Sequence, residues 1–163
     1  MPGAGGIDLK LVRTAVKLLR TRPNTYDDCL AFARNKFEQY YVNKTKQLLH
    51  NFPLNHTIDD KGTLFWSSPK RPPTEIHFNY SDPTHRTFIH SMANLWAFVW
   101  GIPISTNAEK NAAVVNSVVV PPFVPRQKKI ETDEKAKKTE DSSAIEQDIE
   151  VYIRELLSFV DNP

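Results

Sequence analysis

The sequence predicts a mainly α protein: a helical body with short extended segments, a charged flexible linker and a C-terminal amphipathic helix. Three observations carry this. Apolar residues recur at helical spacing in five stretches. Residues that cap helix N-termini (Thr25, Asp82, Asn107 and Ser143) stand directly before four of them. Strand-like alternation is confined to Glu75–Tyr80.

The elements follow in order. Residues 1–6 are small and read as a flexible start. Asp8 to Thr21 forms the first predicted helix, with Leu11, Ala15, Leu18 and Leu19 as its apolar stripe and Pro23 ending it. Thr25 and Asp28 make a capping box for a second helix, a cap that contributes ~1 kcal/mol. Tyr26, Leu30, Ala33, Phe37, Tyr40 and Leu48 keep helical spacing, which predicts the longest helix over Tyr26 to His50, limited by Pro53. Gly62 to Trp66 is a short strand or irregular. Ile76, Phe78 and Tyr80 share one face of an extended segment.

Asp82 with Pro83 opens a third helix, stopped by Gly101 and Pro103. Its predicted stripe is Phe88, Met92, Leu95, Trp96 and Val99, at the centre of the core. Trp96 and Trp100 read as part of that stripe. Asn107 caps a fourth helix, Ala108 to Asn116. The prolines of Pro121 to Pro125 require extended backbone. The organisation expected is a body over 7–125, a charged linker over 126–142, and a final helix over 143–163. In the last, Ile145, Ile149, Tyr152, Ile153, Leu156 and Val160 face one way and need something to pack on.

Composition narrows the function. A chain of 163 residues, 40% apolar, has the material for one cored domain with a tail. A net charge of +2 implies no nucleic-acid partner. A single cysteine excludes an internal disulfide framework and a cysteine-based zinc site. No apolar run has the length of a membrane span and the N-terminus has no signal-peptide core, so a cytoplasmic, and also nuclear, protein without a membrane partner is expected. Three Asn-x-Ser/Thr triplets, at Asn43, Asn55 and Asn79, are read as chance in that setting.

The densest chemistry lies between Gln47 and Pro73. There Phe65 and Trp66 are adjacent, and Lys70 and Arg71 sit among Pro69, Pro72 and Pro73. Loop aromatics anchor on a core or a partner, which makes Phe65, Trp66, Lys70 and Arg71 the candidate partner surface. Two cations are too few for a nucleic-acid footprint. Cys29 falls inside the second helix beside Tyr26 and Ala33. No cation or base is placed beside it, so it reads as a structural core residue, with a reactive thiolate as the competing reading. His50, His56, His77, His85 and His90 match no common ligand spacing, so no metal site is expected. The acidic pairs Asp27-Asp28 and Asp59-Asp60 point apart and read as structural. No GxGxxG or GxxxxGK[ST] motif occurs, so no cofactor-binding residues are assigned.

The blocks RPNTYDDCLAFARNKFEQYY, QLLHNFP, FWSSPKRPP, IHFNYSDPTHRTFIHSMANLWAFVWGIP and VVVPPFVP, in this order and spacing, resemble the second catalytic-cysteine half-domain of ubiquitin-activating enzymes. The likeness runs from Lys17 to Pro125. The wording SPKRPP, and IETDE after VPRQKK, is closer to the second vertebrate type, which also activates a ubiquitin-like modifier. The resemblance implies an ATP- and Mg²⁺-dependent enzyme that adenylates a modifier, forms a cysteine thioester and passes it to a conjugating enzyme. It places the reactive cysteine upstream of the matched region, so no catalytic residue is assigned here and Cys29 matches a different position. It therefore implies a fragment inactive alone. The alternative expectation is a free-standing interaction module that binds ubiquitin or conjugating enzymes.

Overall fold

The computed structural model describes residues 8–127 and 151–159. It is mainly helical, as expected, with α1 (Leu9–Arg20), α2 (Tyr26–Phe37), α3 (Lys44–Asn51), α4 (Pro83–Trp100) and α5 (Ala108–Ser117). A π-helical turn, Glu38–Asn43, joins α2 to α3, and residues 151–159 are also helical. Among the described residues the nearest thing to a sheet is one antiparallel bridge, Thr57 to Leu64. Glu75–Tyr80 makes no ladder, and among the described residues no helix is long and apolar enough to cross a membrane. The chain divides into two compact units, residues 1–22 with 130–163, and residues 23–129.

In the first unit, Asp8 caps α1 by accepting from the Lys10 N–H at 2.9 Å. The predicted stripe holds on this helix at Ala15 and Leu19 and fails at Leu11 and Leu18. Leu11 and Leu18 are exposed and Val16 is the buried residue, with Val12, Ala15 and Leu19 half-buried around it. The helix carries two overlapping apolar faces, and packing selects the one centred on β-branched Val16. Segment 151–159 meets α1 through a two-pronged Arg20–Glu155 ion pair and through Arg13, which sits 5.7 Å from the centre of the Tyr152 ring. The linker beyond residue 127 and the first half of the predicted C-terminal helix lie outside the described residues.

The second unit is built on α2 packed against α4, with α5 closing over α2. The local signals act as expected. Thr25 and Asp28 form a full capping box, Asp82 caps α4 with Pro83 in its first turn, Asn107 caps α5, and Gly101 ends α4 at a φ of 65°. That left-handed φ is one a side chain resists.

Two expectations about packing fail. The buried line on α4 is Ile89, Ala93 and Ala97, while Leu95 and Val99 stand exposed. Ala93 and Ala97 meet a face of α2 bearing Cys29 and Ala33, all four fully buried. Small residues at the centre let the two helices approach closely, and the bulky Phe88, Met92 and Trp96 flank that seam half-buried. Trp96 stacks on Phe32 of α2 at 4.4 Å. Burying Leu30 and Ile89 contributes ~1.5–3 kcal/mol each before ordering entropy.

The expected helix from Tyr26 to His50 runs on to Asn51, but with a wide turn inside it. Continuing α-periodicity from Phe37 would bury Tyr40 or Tyr41. The π-turn re-phases the chain so that Val42, five residues on, is buried and both tyrosines are exposed.

Candidate functional site

The loop between α3 and α4 holds the predicted partner-surface residues. It begins where α3 stops at Asn51, and its aromatic side chains fold onto one another. Phe65 stacks on Phe52 with ring centres 4.4 Å apart and planes 8° apart. Trp66 packs edge-on to Phe65 and donates its indole N–H to the Phe52 carbonyl at 2.7 Å. His56 closes the cluster against both phenylalanines, and Lys70 places its ammonium 4.4 Å from the Phe65 ring centre. Backbone bonds Phe65 N–H to His56 O and Ile58 N–H to Thr63 O tie the two limbs together.

Asp59 organises the tip. Its carboxylate accepts from the Thr63 hydroxyl at 2.6 Å and from the Thr63 and Lys61 backbone N–H groups, while Gly62 takes a φ of 82° to complete the turn. Those donors, the Thr63 hydroxyl first, hold the Asp59 carboxyl below its ordinary range.

The structure thus brings Phe65, Trp66 and Lys70 together, with Phe65 and Trp66 half-buried in the cluster and Lys70 exposed over the Phe65 ring. Arg71 is exposed and outside the cluster. Among its polar and charged neighbours the loop also leaves three aliphatic side chains in water: Leu54, Ile58 and Leu64. Sequence reasoning missed these three because no helical or strand period tells which way a loop residue faces.

Cys29 lies in the core, with no exposed surface. Burial pushes its thiol up, and the Asp28 carboxylate adds to the rise. The acidic pairs are not paired sites: Asp28 serves the capping box and Asp27 reaches Lys110 at 3.2 Å. Among the described residues no three His, Cys, Asp or Glu side chains converge as metal ligands. His85 and His90 do structural work. The first accepts the Asn79 N–H at 3.1 Å, and the second pairs with the Tyr80 hydroxyl at 2.7 Å, pinning segment 79–80 to α4.

Residues 4–163 match the family described as "Ubiquitin-activating enzyme, SCCH domain". The chain belongs to this family. This agrees with the half-domain resemblance in the sequence, and the helical fold agrees with it. Similar proteins include mouse ubiquitin-like modifier-activating enzyme 6, 43% identical over 76% of this chain and 12% of the relative. Ubiquitin-like modifier-activating enzyme 1 of Dictyostelium discoideum is 45% identical over 71% of this chain and 11% of its own length. Wheat ubiquitin-activating enzyme E1 2 is 42% identical over 91% of this chain and 14% of the relative. This SCCH-family chain therefore spans about one eighth of the length of the curated relatives it matches. Identity does not separate the type-1 from the type-6 relatives.

Proposed function

We propose that this chain is the helical scaffold beside the thioester centre of a ubiquitin-like modifier-activating enzyme, and that it performs no activation chemistry alone. In such an enzyme ATP makes the modifier's C-terminal carboxylate into an acyl adenylate, a cysteine thiolate displaces AMP, and the thioester passes to a conjugating enzyme. The observation that carries the reading is the α2–α4 body with its only thiol sealed inside. A nucleophile must reach its substrate as a thiolate, and Cys29 is buried with its thiol pushed up.

The described residues do not fit a magnesium nucleotide. The carboxylates of Asp28, Asp59 and Asp82 already accept backbone N–H groups, and the two described glycines, Gly62 and Gly101, stand alone rather than in a phosphate-cradling loop. We assign ATP and Mg²⁺ to other parts of an intact enzyme, and the cytoplasm and nucleus as its location. ATP–pyrophosphate exchange by the purified chain with ubiquitin is expected to stay at background. Exchange above background, or a thioester on Cys29, overturns the reading.

One observation favours the second reading, an interaction module for ubiquitin or conjugating enzymes. The loop presents Leu54, Ile58 and Leu64 on a frame held by Asp59 and Trp66. Immobilised chain is incubated with ubiquitin and with a panel of conjugating enzymes. Retention lost on Ile58→Ser supports the module, and no retention supports the inert scaffold.

A further inference from the structure

Five side-chain amides stand four residues apart along one continuous helical run: Asn35, Gln39, Asn43, Gln47 and Asn51. On an α-helix a row at this spacing drifts sideways by ~40° per step, because a turn takes 3.6 residues. The π-turn at Glu38–Asn43 takes more than four, so a step of four there falls short of a full turn and drifts the opposite way. The turn that re-phases Val42 into the core therefore also straightens the amide row.

Gln47 shows what such an amide does. Its side chain donates to the Arg126 carbonyl and accepts the Arg126 N–H, both at 2.9 Å. This is the two-bond grip that one strand takes on another. Asn51 accepts the other Gln47 N–H at 2.9 Å and steadies it. The gripped residue ends the extended strap Pro121–Arg126, and between strap and helix run lies an open groove of about 600 Å³ lined by Asn35, Gln39 and Asn43.

Those three amides keep hydrogen-bonding capacity. Asn35 spends one N–H on the Ala31 carbonyl, and Gln39 spends its oxygen on Lys36. Asn43 has no side-chain hydrogen bond among the described residues. The strap is poorly suited to fill the row, because Pro121, Pro122 and Pro125 have no N–H to give and cannot form the two-bond grip that Arg126 makes. Spacing fits another chain. Four α-helical residues rise ~6 Å, and two residues of extended polypeptide advance ~6.2–6.6 Å. The π-turn shortens one step, and Gln39, one methylene longer than Asn43, has the reach to absorb it. Among the groove's charges, Glu38 is neutralised by Arg34 at 2.8 Å, leaving Lys44 and Arg126 as cations without an ion-pair partner among the described residues.

We propose that this groove binds an extended, acidic peptide segment, with Asn35, Gln39 and Asn43 gripping the backbone of alternate residues as Gln47 grips Arg126. The inference is independent of the activating-enzyme reading and stands or falls without it.

The test uses the full chain and a display library of random twelve-residue peptides. Expected are acidic sequences, poor in proline at alternate positions, that bind with micromolar Kd. Asn43→Ala and Gln39→Ala each weaken binding about fivefold with the circular-dichroism melt unchanged, and Lys44→Glu with Arg126→Glu reverses the charge preference. N-methylating the peptide one residue at a time should weaken binding at every second position. Failure to select any binder, indifference to the two alanine variants, or a methylation scan without a two-residue period overturns the proposal and leaves the row as a fastening for the strap.

Discussion

The α2–α4 seam and the loop that follows α3 hold their shapes by opposite means. The seam joins residues far apart in sequence, as where the Tyr26 hydroxyl donates to Asn94 at 2.6 Å, 68 residues away. It is stabilised by apolar burial and close approach of small side chains. The first part of the loop, residues 52–70, is fastened within itself: its hydrogen bonds span 14 residues or fewer, its rings stack on each other, and Asp59 ties its tip. The seam exists only once the chain has folded, whereas the loop carries its own frame and can leave aliphatic side chains in water. A region fastened locally is free to present a surface, and a region fastened globally is not.

The comparison can be broken most severely at the seam. Ile89→Ala leaves a cavity where α2 and α4 meet and should cost about 2–5 kcal/mol, read as a lowered urea midpoint for the whole unit. At the loop, Trp66→Phe keeps a ring and removes the bond to the Phe52 carbonyl. It should cost about 1 kcal/mol. Backbone amides of residues 52–66 should then exchange hydrogen faster, with those of α4 unaltered; equal acceleration in both would show that the loop does not hold itself.

Acid should separate them by pH. Burial lowers His90 from its ordinary 6.5, so the folded chain keeps it neutral while the unfolded chain takes a proton. Arg86 adds to the lowering. Its contribution is present above about pH 6.5 and is lost as pH falls through the lowered folded value. The Asp59 carboxyl is also lowered, but from 3.8, so its contribution is lost in a more acidic window. A pH series of melts should show the attachment of segment 79–80 to α4 weakened first, and His90→Gln should flatten that first limb. The smallest effect is expected for Ile58→Ser, an exposed change within about ±0.5 kcal/mol, which makes it a clean probe of binding.

What was legible in the sequence follows the same division. Caps are local chemistry, and Thr25 with Asp28, Asp82 with Pro83, Asn107 and Gly101 were readable from neighbouring residues alone. The family blocks were readable too. Faces were not. On α4 the largest side chains suggest the buried stripe, yet Ala93 and Ala97 occupy it, because what matters is how near α2 comes, and α2 is nearly 60 positions away. The π-turn left no mark that propensity detects. The amide row was in plain view at a spacing of four, but its meaning needed the strap that Gln47 holds.

One feature of α4 reaches beyond the folded unit. From Thr87 to Trp100 it carries no Asp, Glu, Lys or Arg, and Leu95, Phe98 and Val99 project from its uncovered side, Phe98 with 83% of its surface in water. A face without charge has no repulsion for simple salt to screen. Raising sodium chloride should therefore leave molecules indifferent to one another through this helix, whereas sulfate, which is excluded from protein surfaces, should drive such oily ridges together and turn a clear solution turbid.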